Sequence, residues 1–405
     1  MTGARPRQRG AVGYREARAH ALIAAVGLWI WAIGGTLAGD GYRNLAGQLV
    51  GGDFIQLYTL GHVAFDGAYP ALDAADALHA RQVELLPASD PEFYFPVYPP
   101  QAALVFAPLA RLPYAVALGI WTFLLVLAYA GIVWRTWQSV RDVLPDPVFV
   151  AAAAAAFPPF VNLVLFGQTT LFPLLGFFLG WLALERGRPI YAGAALTLLA
   201  IKPQFGLALG AVVILTGQWR ILAGALLGFA VQASAVIVLM GEKTIATYAG
   251  NVLGFARIEP LLEPKPWQMH SLRSLTNLVP EIGTILFLLL AAGVVLVAAA
   301  VWRSTAPLPA KFSVLVMGSV LVNPHLFVYD AAVLALPLLW LGGWMERDRL
   351  EFRRAYWLSV YALFVLFLIP TARFVYVQLS VVVLVWLFWR VAQIARSDRI
   401  TVAAV

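Results

Sequence analysis

Polar side chains that could take part in group transfer interrupt the apolar stretches of this sequence at separate places. Asp53 follows the first apolar run, Gln168 interrupts a later one, and Lys202 lies among apolar residues directly before Pro203. A carboxylate can act as a base toward a hydroxyl group, an amide can bind a sugar hydroxyl or a phosphate, and an ammonium group can bind phosphate. A charge inside a bilayer costs about 2.5–3.5 kcal/mol, so such residues are candidates for function.

A further interruption contains His325 and Asp330, again beside apolar runs. Histidine is the natural proton acceptor near neutral pH, so His325 competes with Asp53 for the role of base. The alternative is that His325 and Asp330 form a hydrogen-bonded pair that fixes a helix kink.

Asp53 and Lys202 also have purely structural interpretations. Two glycines precede Asp53, which could be the N-cap of a helix over 54–65, its carboxylate accepting hydrogen bonds from exposed amides. Lys202 could extend its ammonium group to the membrane boundary. Neither interpretation excludes a functional role.

Aromatic and basic residues add candidates for ligand binding. Tyr98 lies in the aromatic and proline-rich run 93–100, which is typical of an anchor at the membrane edge and would equally suit a sugar platform. In the polar segment 241–281, Arg257 and Arg273 could attract a phosphate. The remaining candidates for acceptor or sugar binding are Tyr58, Trp267, His270 and Asp330.

The composition indicates what must position these side chains. Of the 405 residues, 61% are hydrophobic and only 12% are charged, against about 45–50% and about 25% in soluble domains. This excludes a cytosolic enzyme, a disordered regulator and a fibrous protein. The absence of cysteine excludes disulfides, thiol metal sites and a cysteine nucleophile.

The apolar runs predict an all-α polytopic protein, a single integral membrane domain over 1–405 with about twelve spans. The predicted spans are 20–38, 113–134, 148–165, 168–184, 190–201, 203–216, 221–240, 282–302, 312–323, 328–344, 356–369 and 374–390. The first is longer than the apolar core of a cleaved signal peptide, so we predict a retained anchor. Segment 99–112 is broken by prolines and is predicted to be re-entrant or interfacial.

Two long polar segments, 39–98 and 241–281, are predicted to be extracytoplasmic loops, the first with an amphipathic surface helix over 73–86. The orientation follows from the basic residues near span ends. The predicted cytoplasmic segments are 1–19, 135–147, 185–189, 217–220, 302–311, 345–355 and 390–405. They hold 19 of the 28 basic residues and 8 of the 21 acidic residues, a net of +11, and the other positions have a net of −4. The overall charge of +7 therefore indicates topology, with both termini cytoplasmic, and does not indicate nucleic acid as a partner.

With this topology, Asp53, Gln168, Lys202, His325 and segment 241–281 all lie on the extracytoplasmic side. A carboxylate, an imidazole, a cation and aromatic rings on one side of the membrane indicate a site for a lipid-borne, phosphate-bearing substrate. The sequence has no glycine-rich phosphate loop, no HExxH motif and no acidic metal cluster.

Several short motifs, in this order and at these positions relative to the spans, resemble glycosyltransferase family 87 over about residues 20–345. They are Asp53-Phe54, Tyr98-Pro99-Pro100, Phe166-Gly167-Gln168, Arg186-Gly187-Arg188, Lys202-Pro203, Pro324-His325 and Tyr329-Asp330. The family contains integral membrane enzymes of the GT-C type, similar to polyprenyl-phosphate-mannose-dependent α-mannosyltransferases.

The resemblance implies a GT-C fold, a polyprenyl-phosphate donor of mannose or another hexose, and a lipid or glycan acceptor on the extracytoplasmic face of a bacterial inner membrane. It also implies inversion at the anomeric carbon without a covalent enzyme intermediate. The family aspartate falls on Asp53 and the family histidine on His325. Many GT-C enzymes carry two neighbouring acidic residues in the first loop, whereas here Phe54 follows Asp53. We therefore expect neither a metal ion nor another cofactor.

A different class of protein, a transporter or flippase of a lipid-linked substrate, could use a similar site. Transporters often contain inverted repeats with broken helices in matching halves. The sequence shows no matching halves, and its two large polar segments favour an enzyme. A membrane-embedded ligase or acyltransferase is a third alternative.

Overall fold

The computed structural model describes residues 14–67, 69–90, 93–262 and 266–402, with the side chains of 14, 255–262, 266 and 397–402 outside the description. The described chain is almost entirely helical, and its one β-pairing is an isolated bridge between Arg43 and Leu49. The first ten helices are α1 (Tyr14–Leu37), α2 (Phe54–Phe65), α3 (Ala75–Leu85), α4 (Pro100–Ala110), α5 (Tyr114–Gln138), α6 (Pro147–Ala155), α7 (Pro158–Phe166), α8 (Leu171–Glu185), α9 (Pro189–Leu196) and α10 (Gly206–Leu215). The others are α11 (Trp219–Met240), α12 (Lys243–Leu262), α13 (Leu272–Thr276), α14 (Gly283–Trp302), α15 (Leu308–Leu321), α16 (Ala335–Asp348), α17 (Leu350–Leu366), α18 (Ala372–Val375) and α19 (Leu379–Val402).

Six helices within the described residues are long and apolar enough to cross a membrane. They are Arg15–Leu37, Tyr114–Gln138, Trp219–Met240, Gly283–Trp302, Val328–Asp348 and Leu379–Arg396. A bent pair raises the number to seven. The remaining predicted spans correspond to apolar helices shorter than about 20 residues, the length that a 30 Å hydrocarbon core requires. The all-α prediction is confirmed, and twelve full spans are not matched by helices of spanning length.

Prolines explain most of the shortening. The predicted span 148–165 is divided into α6 and α7, bent by 52°, because Pro158 and Pro159 supply no amide hydrogen to continue α6. In the same way α9 continues as a 3₁₀ turn, Thr197–Ile201, and stops before Pro203.

The second long polar segment contains more helix than the sequence predicts, whereas the helices of the first segment were predicted. In the first, α2 begins and ends where predicted, and α3 lies within the predicted amphipathic stretch. Segment 241–281 was predicted to be a loop, and its first half is helical instead. The 20-residue helix α12 occupies it, since the first proline of the segment, Pro260, lies only in the last turn.

Ion pairs gather at the end of the helices that carries the basic segments. Arg347 pairs with Asp142 at 2.7 Å, and Arg18 with Asp146 at 3.6 Å. The bulky core between the two ends includes Trp181, which packs against Trp340 with ring centroids 5.0 Å apart. Lys202 and Asp330 are buried in this otherwise apolar interior.

Candidate active site

Backbone hydrogen bonds hold the segment before α2 against the end of α7. The Gly51 amide donates to the Leu165 carbonyl and the Asp53 amide to the Phe166 carbonyl, both at 3.2 Å. Gly167 then ends α7 with a φ of 65°, a left-handed conformation that glycine adopts without strain. A Cβ atom at Gly167 would lie 2.8 Å from the Cβ of Phe54, so the two segments approach closely. This contact brings Asp53 beside Gln168.

The Gln168 side chain links a carboxylate to a phenol. Its Nε2 donates to Asp53 Oδ2 at 2.7 Å, and its Oε1 accepts from the Tyr98 hydroxyl at 3.1 Å. Gln168 is buried, with 4% of its surface exposed. Three residues that the sequence singled out, far apart in the chain, are therefore joined by direct hydrogen bonds.

Lys202 and Asp330 form a buried ion pair. Lys202 Nζ lies 2.6 Å from Asp330 Oδ1, and both side chains are almost completely buried. Thr170 joins the pair, because its hydroxyl donates to Asp330 Oδ1 at 2.6 Å and accepts from Lys202 Nζ at 3.2 Å. The second Asp330 oxygen accepts from the Phe327 amide at 3.2 Å. Lys202 thus does not extend to the membrane boundary, because an internal partner neutralises it.

Tyr329 connects the two polar groups. Its hydroxyl is near enough to the Asp53 carboxylate for the two groups to interact, and its ring lies under Lys202 with Nζ 4.8 Å from the ring centroid. A cation over an aromatic face is attracted by the ring quadrupole. The result is one network, which we call the Asp53–Lys202 network, formed by Asp53, Tyr98, Gln168, Thr170, Lys202, Tyr329 and Asp330.

The electrostatics of Asp53 differ from those of a surface carboxylate. Burial raises the pKa of the Asp53 carboxyl above its usual value, while the Gln168 hydrogen bond and the Lys202 charge oppose that shift. A carboxylate with a raised pKa holds a transferred proton better, which suits a base working near neutral pH.

The structural interpretation of Asp53 was half correct. Asp53 does precede the first turn of α2, but its side chain makes no hydrogen bond to the helix amides. Its backbone is helical, with φ −93° and ψ −22°, whereas a capping side chain usually accompanies an extended backbone. The carboxylate points instead to Gln168 and Tyr329.

His325 lies on the loop between α15 and the 3₁₀ turn that carries Asp330. Its amide donates to Asn323 Oδ1 at 2.9 Å, and its ring packs edge-on against Phe327, with centroids 4.8 Å apart. The loop is anchored from outside by the His270 amide, which donates to the Leu326 carbonyl at 2.8 Å. Asp330 pairs with Lys202 and not with His325, the alternative that the sequence left open.

His270 has its own buried partners. Its ring nitrogens lie 2.8 Å from Ser380 Oγ and 2.9 Å from Gln378 Nε2. Burial lowers the pKa of His270 to about 3, so the ring is neutral at physiological pH. In this position His270 fastens the start of α19 to the segment before α13.

The other candidates for ligand binding have separate surroundings. The Tyr58 hydroxyl donates to the Leu112 carbonyl at 2.7 Å. Trp267 lies beneath the Arg373 guanidinium, 5.3 Å away. Arg273 donates to Thr284 Oγ1 at 3.1 Å, at the start of α14. Arg257 is on α12, and its side chain is outside the part of the chain that the structure describes.

Sequence reasoning missed Thr170 and Tyr329 as members of the site. Thr170 belongs to the polar run after Gln168, and Tyr329 directly precedes Asp330, so both were adjacent to chosen residues. A hydroxyl between apolar runs carries a weaker signal than a charge, because it can satisfy itself on a helix carbonyl. Within the described chain no three His, Asp or Glu side chains are grouped as metal ligands would be.

The sequence model of glycosyltransferase family 87 matches residues 95–324, more than half of the chain. The chain belongs to glycosyltransferase family 87. The resemblance seen in the short motifs is thereby confirmed, and the protein is an integral membrane glycosyltransferase. The family match contains Tyr98, Gln168 and Lys202, ends one residue before His325, and begins after Asp53. No curated protein and no solved structure matches the chain.

Proposed function

We propose that this family 87 enzyme transfers mannose or another hexose from a polyprenyl-phosphate donor to a lipid or glycan acceptor, and that the Asp53–Lys202 network is its catalytic site. The observation that carries the proposal is the partly buried carboxylate of Asp53 held at 2.7 Å by Gln168, with the buried cation of Lys202 in the same network. A base and a cation in one network are the two groups that transfer from a sugar phosphate requires.

In the proposed reaction, the acceptor hydroxyl oxygen attacks the anomeric carbon of the donor sugar. The bond from that carbon to the phosphate oxygen breaks, and polyprenyl phosphate leaves with the electron pair. The proton of the acceptor hydroxyl passes to the base, and a single displacement inverts the anomeric configuration. No covalent enzyme intermediate forms.

Asp53 is the base in this proposal, and His325 is the alternative. The raised pKa of Asp53 supports this choice, because it fits the carboxyl to accept a proton. Gln168 orients the carboxylate through its hydrogen bond, and the Tyr329 hydroxyl interacts with it. The assignment predicts that the fall of the transfer rate at low pH, the acid limb of the pH–rate profile, is lost in Asp53 variants and kept in His325 variants.

Lys202 is the proposed contact for the departing phosphate. An ammonium group has three hydrogens to donate, and Asp330 and Thr170 engage two of them. The third remains for a phosphate oxygen. Because Asp330 already neutralises Lys202, the resting site costs less to bury, and charge that develops on the phosphate would strengthen the third hydrogen bond. Arg257 and Arg273 are proposed to attract the donor from the segment 241–281.

The proposal includes the finer assignments that the family resemblance implies. These are a GT-C fold, additional membrane passes formed by the shorter apolar helices, a bacterial inner membrane, an extracytoplasmic site and cytoplasmic termini. The asymmetry of basic residues between the two ends of the helices supports the orientation. Tyr58, Tyr98, Trp267, His270 and Asp330 remain proposed contributors to acceptor or sugar binding.

The test uses the purified full chain in vesicles with an acceptor-lipid extract and a panel of radiolabelled donors. We expect label in a new covalent glycoconjugate from one polyprenyl-phosphate hexose, and none from nucleotide sugars. Asp53→Asn is the matched negative control. Movement of an unaltered labelled lipid between leaflets without a new glycosidic bond would instead identify a flippase.

A further inference from the structure

A mainly apolar cavity lies away from the Asp53–Lys202 network, between α1, α6 and α17. Its volume is about 250 Å³. Representative wall residues are Ala24, Leu28, Phe149, Ala153, Phe364 and Leu368. This volume is close to the lower end of known ligand pockets, about 300 Å³.

The cavity opens on the apolar outer surface of the helices. Val365 and Leu368 line the cavity, yet about half of each side chain is exposed. On α1, the neighbouring Ile23 and Val26 are also exposed, at 71% and 56%. Water does not enter apolar cavities readily, so within a membrane this space is open to an acyl chain.

Exposed basic side chains lie at the end of the cavity where α1 begins. The wall residues of α1 begin at Ala17, near its N-terminus, and those of α17 begin at Trp357, two turns into the helix. At that end α1 carries Arg18 and His20, and Arg354 precedes Trp357 by one helical turn on α17. All three belong to exposed positions. Since α1 lines the cavity from residue 17 to residue 28, the apolar part is about 16 Å deep.

The basic end is remote from the catalytic network. Arg18 pairs with Asp146 directly before α6, whereas Gln168 follows the end of α7. The bent pair α6–α7 lies between them, and two helices of nine residues each at 52° separate the two ends by about 25 Å. A lipid whose head lies at Arg18 therefore cannot present a sugar to Asp53.

We propose that this cavity is a binding site for an anionic phospholipid, with one acyl chain between α1 and α17 and the phosphate at Arg18 and Arg354. The size, apolar wall and lateral mouth fit an acyl chain. The cations at the basic end complement an anionic head, and basic residues near a membrane surface attract such lipids. The site is distinct from donor binding and belongs to the leaflet opposite the catalytic network.

The experiment reconstitutes the full chain in vesicles of equal parts phosphatidylglycerol and phosphatidylethanolamine, then counts the lipids that remain bound by native mass spectrometry. We expect the wild type to retain phosphatidylglycerol in preference to phosphatidylethanolamine. Arg354→Gln should reduce that preference about fivefold, and Ala24→Trp, which fills the cavity, should abolish retention. Val26→Trp adds the same ring outside the cavity and should retain the lipid as the wild type does.

Equal retention in Ala24→Trp and Val26→Trp would overturn the proposal, as would a wild type without preference between the two lipids. Displacement of phosphatidylglycerol by added polyprenyl phosphate would assign the cavity to the donor instead, and dimers lost in Ala24→Trp would assign it to a second copy. If Ala24→Trp is not monodisperse, Ala153→Leu closes the cavity from α6 with a smaller change.

Discussion

Gln168 Nε2 and Asp53 Oδ2 lie 2.7 Å apart, and this one hydrogen bond joins residues separated by 115 positions in the chain. The Gln168 side chain also accepts a hydrogen bond from the Tyr98 hydroxyl through Oε1. Both polar atoms of the amide are therefore engaged, and this fixes its orientation. A carboxylate held by an oriented donor keeps its position when a substrate binds. If that position is used for catalysis, removing or displacing the carboxylate should slow sugar transfer.

Asp53→Asn should reduce the rate of sugar transfer by at least about 100-fold, because it removes the proposed base while keeping the side-chain shape. The wild-type rate should fall as the pH drops through the Asp53 pKa, which burial raises above the ordinary value. Initial rates against pH measure both effects. Asp66→Asn, at the exposed C-terminal end of α2, is the control and should transfer sugar at the wild-type rate.

His325→Ala tests the alternative base. If Asp53 is the base, this variant should retain the acid limb of the wild-type profile and lose rate mainly through poorer positioning. A flat profile in His325→Ala together with a normal profile in Asp53→Asn would reverse the assignment.

Lys202→Met should destabilise the protein by about 3–5 kcal/mol, because it leaves the Asp330 carboxylate buried without its partner. In the double variant Lys202→Met/Asp330→Asn no charge is left unpaired, so most of this stability should return. Sugar transfer should stay low in both, since the phosphate contact is absent. Thermal unfolding in detergent and transfer rates measure the two quantities separately. Recovery of transfer in the double variant would show that Lys202 only maintains the structure.

Gly167→Ala should destabilise the protein and reduce transfer. An alanine with left-handed φ costs roughly 1–2 kcal/mol, and here its Cβ would also lie 2.8 Å from the Cβ of Phe54, displacing Asp53 from Gln168. Gly187→Ala is the matched control, because Gly187 has a φ of 68° and open space around its Cβ position. Both variants carry the backbone strain, and only Gly167→Ala should also displace Asp53. Melting temperatures and transfer rates of the two variants therefore separate the two effects, and equal losses in both variants would exclude a displacement of Asp53.

His270 predicts a specific acid sensitivity. An unfolded histidine takes up a proton below about pH 6.5, whereas buried His270 stays neutral until about pH 3. Stability should therefore fall by about 1.4 kcal/mol per pH unit as the pH drops below about 6.5. Melting temperatures of the wild type and His270→Gln between pH 7 and pH 4 measure this slope, which should be shallower in the variant. His79→Gln, at a partly exposed histidine of α3, is the matched control for the loss of a histidine elsewhere in the fold.

A reporter fused at residue 250 should be extracytoplasmic and one fused at residue 187 cytoplasmic, since the basic segments determine the orientation. Alkaline phosphatase and green fluorescent protein fusions give opposite signals on the two sides. Activity of the phosphatase at 187 and not at 250 would reverse the proposed side of the catalytic network.

The sequence predicted the helices that consist of long, unbroken apolar runs. The expected spans 113–134, 221–240 and 282–302 correspond closely to α5, α11 and α14, because each is a long apolar run without an internal proline. Prediction failed at 148–165, where hydropathy is continuous and only the proline pair determines the bend. Hydropathy measures how apolar a segment is, and it does not indicate where the chain bends.

The site was predictable as a set of residues and not as a set of contacts. Charged and amide residues within apolar runs attract attention because burial is costly, which selected Asp53, Lys202 and Asp330. Their pairing could not be read from the sequence, since Asp53 had amides of its own helix within reach and Asp330 had His325 nearby. The actual partners depend on the approach of Gly167 to Phe54, a tertiary contact.

The separation of Lys202 and Asp330 in the chain has a consequence for biosynthesis. Lys202 is made 128 residues before its partner, so the ammonium group must enter the membrane before the carboxylate that neutralises it exists. Until Asp330 has been made, the growing chain contains a positive charge among apolar residues without its partner. We therefore expect the first half of the chain to reach its final packing only after the segment around Asp330 is complete.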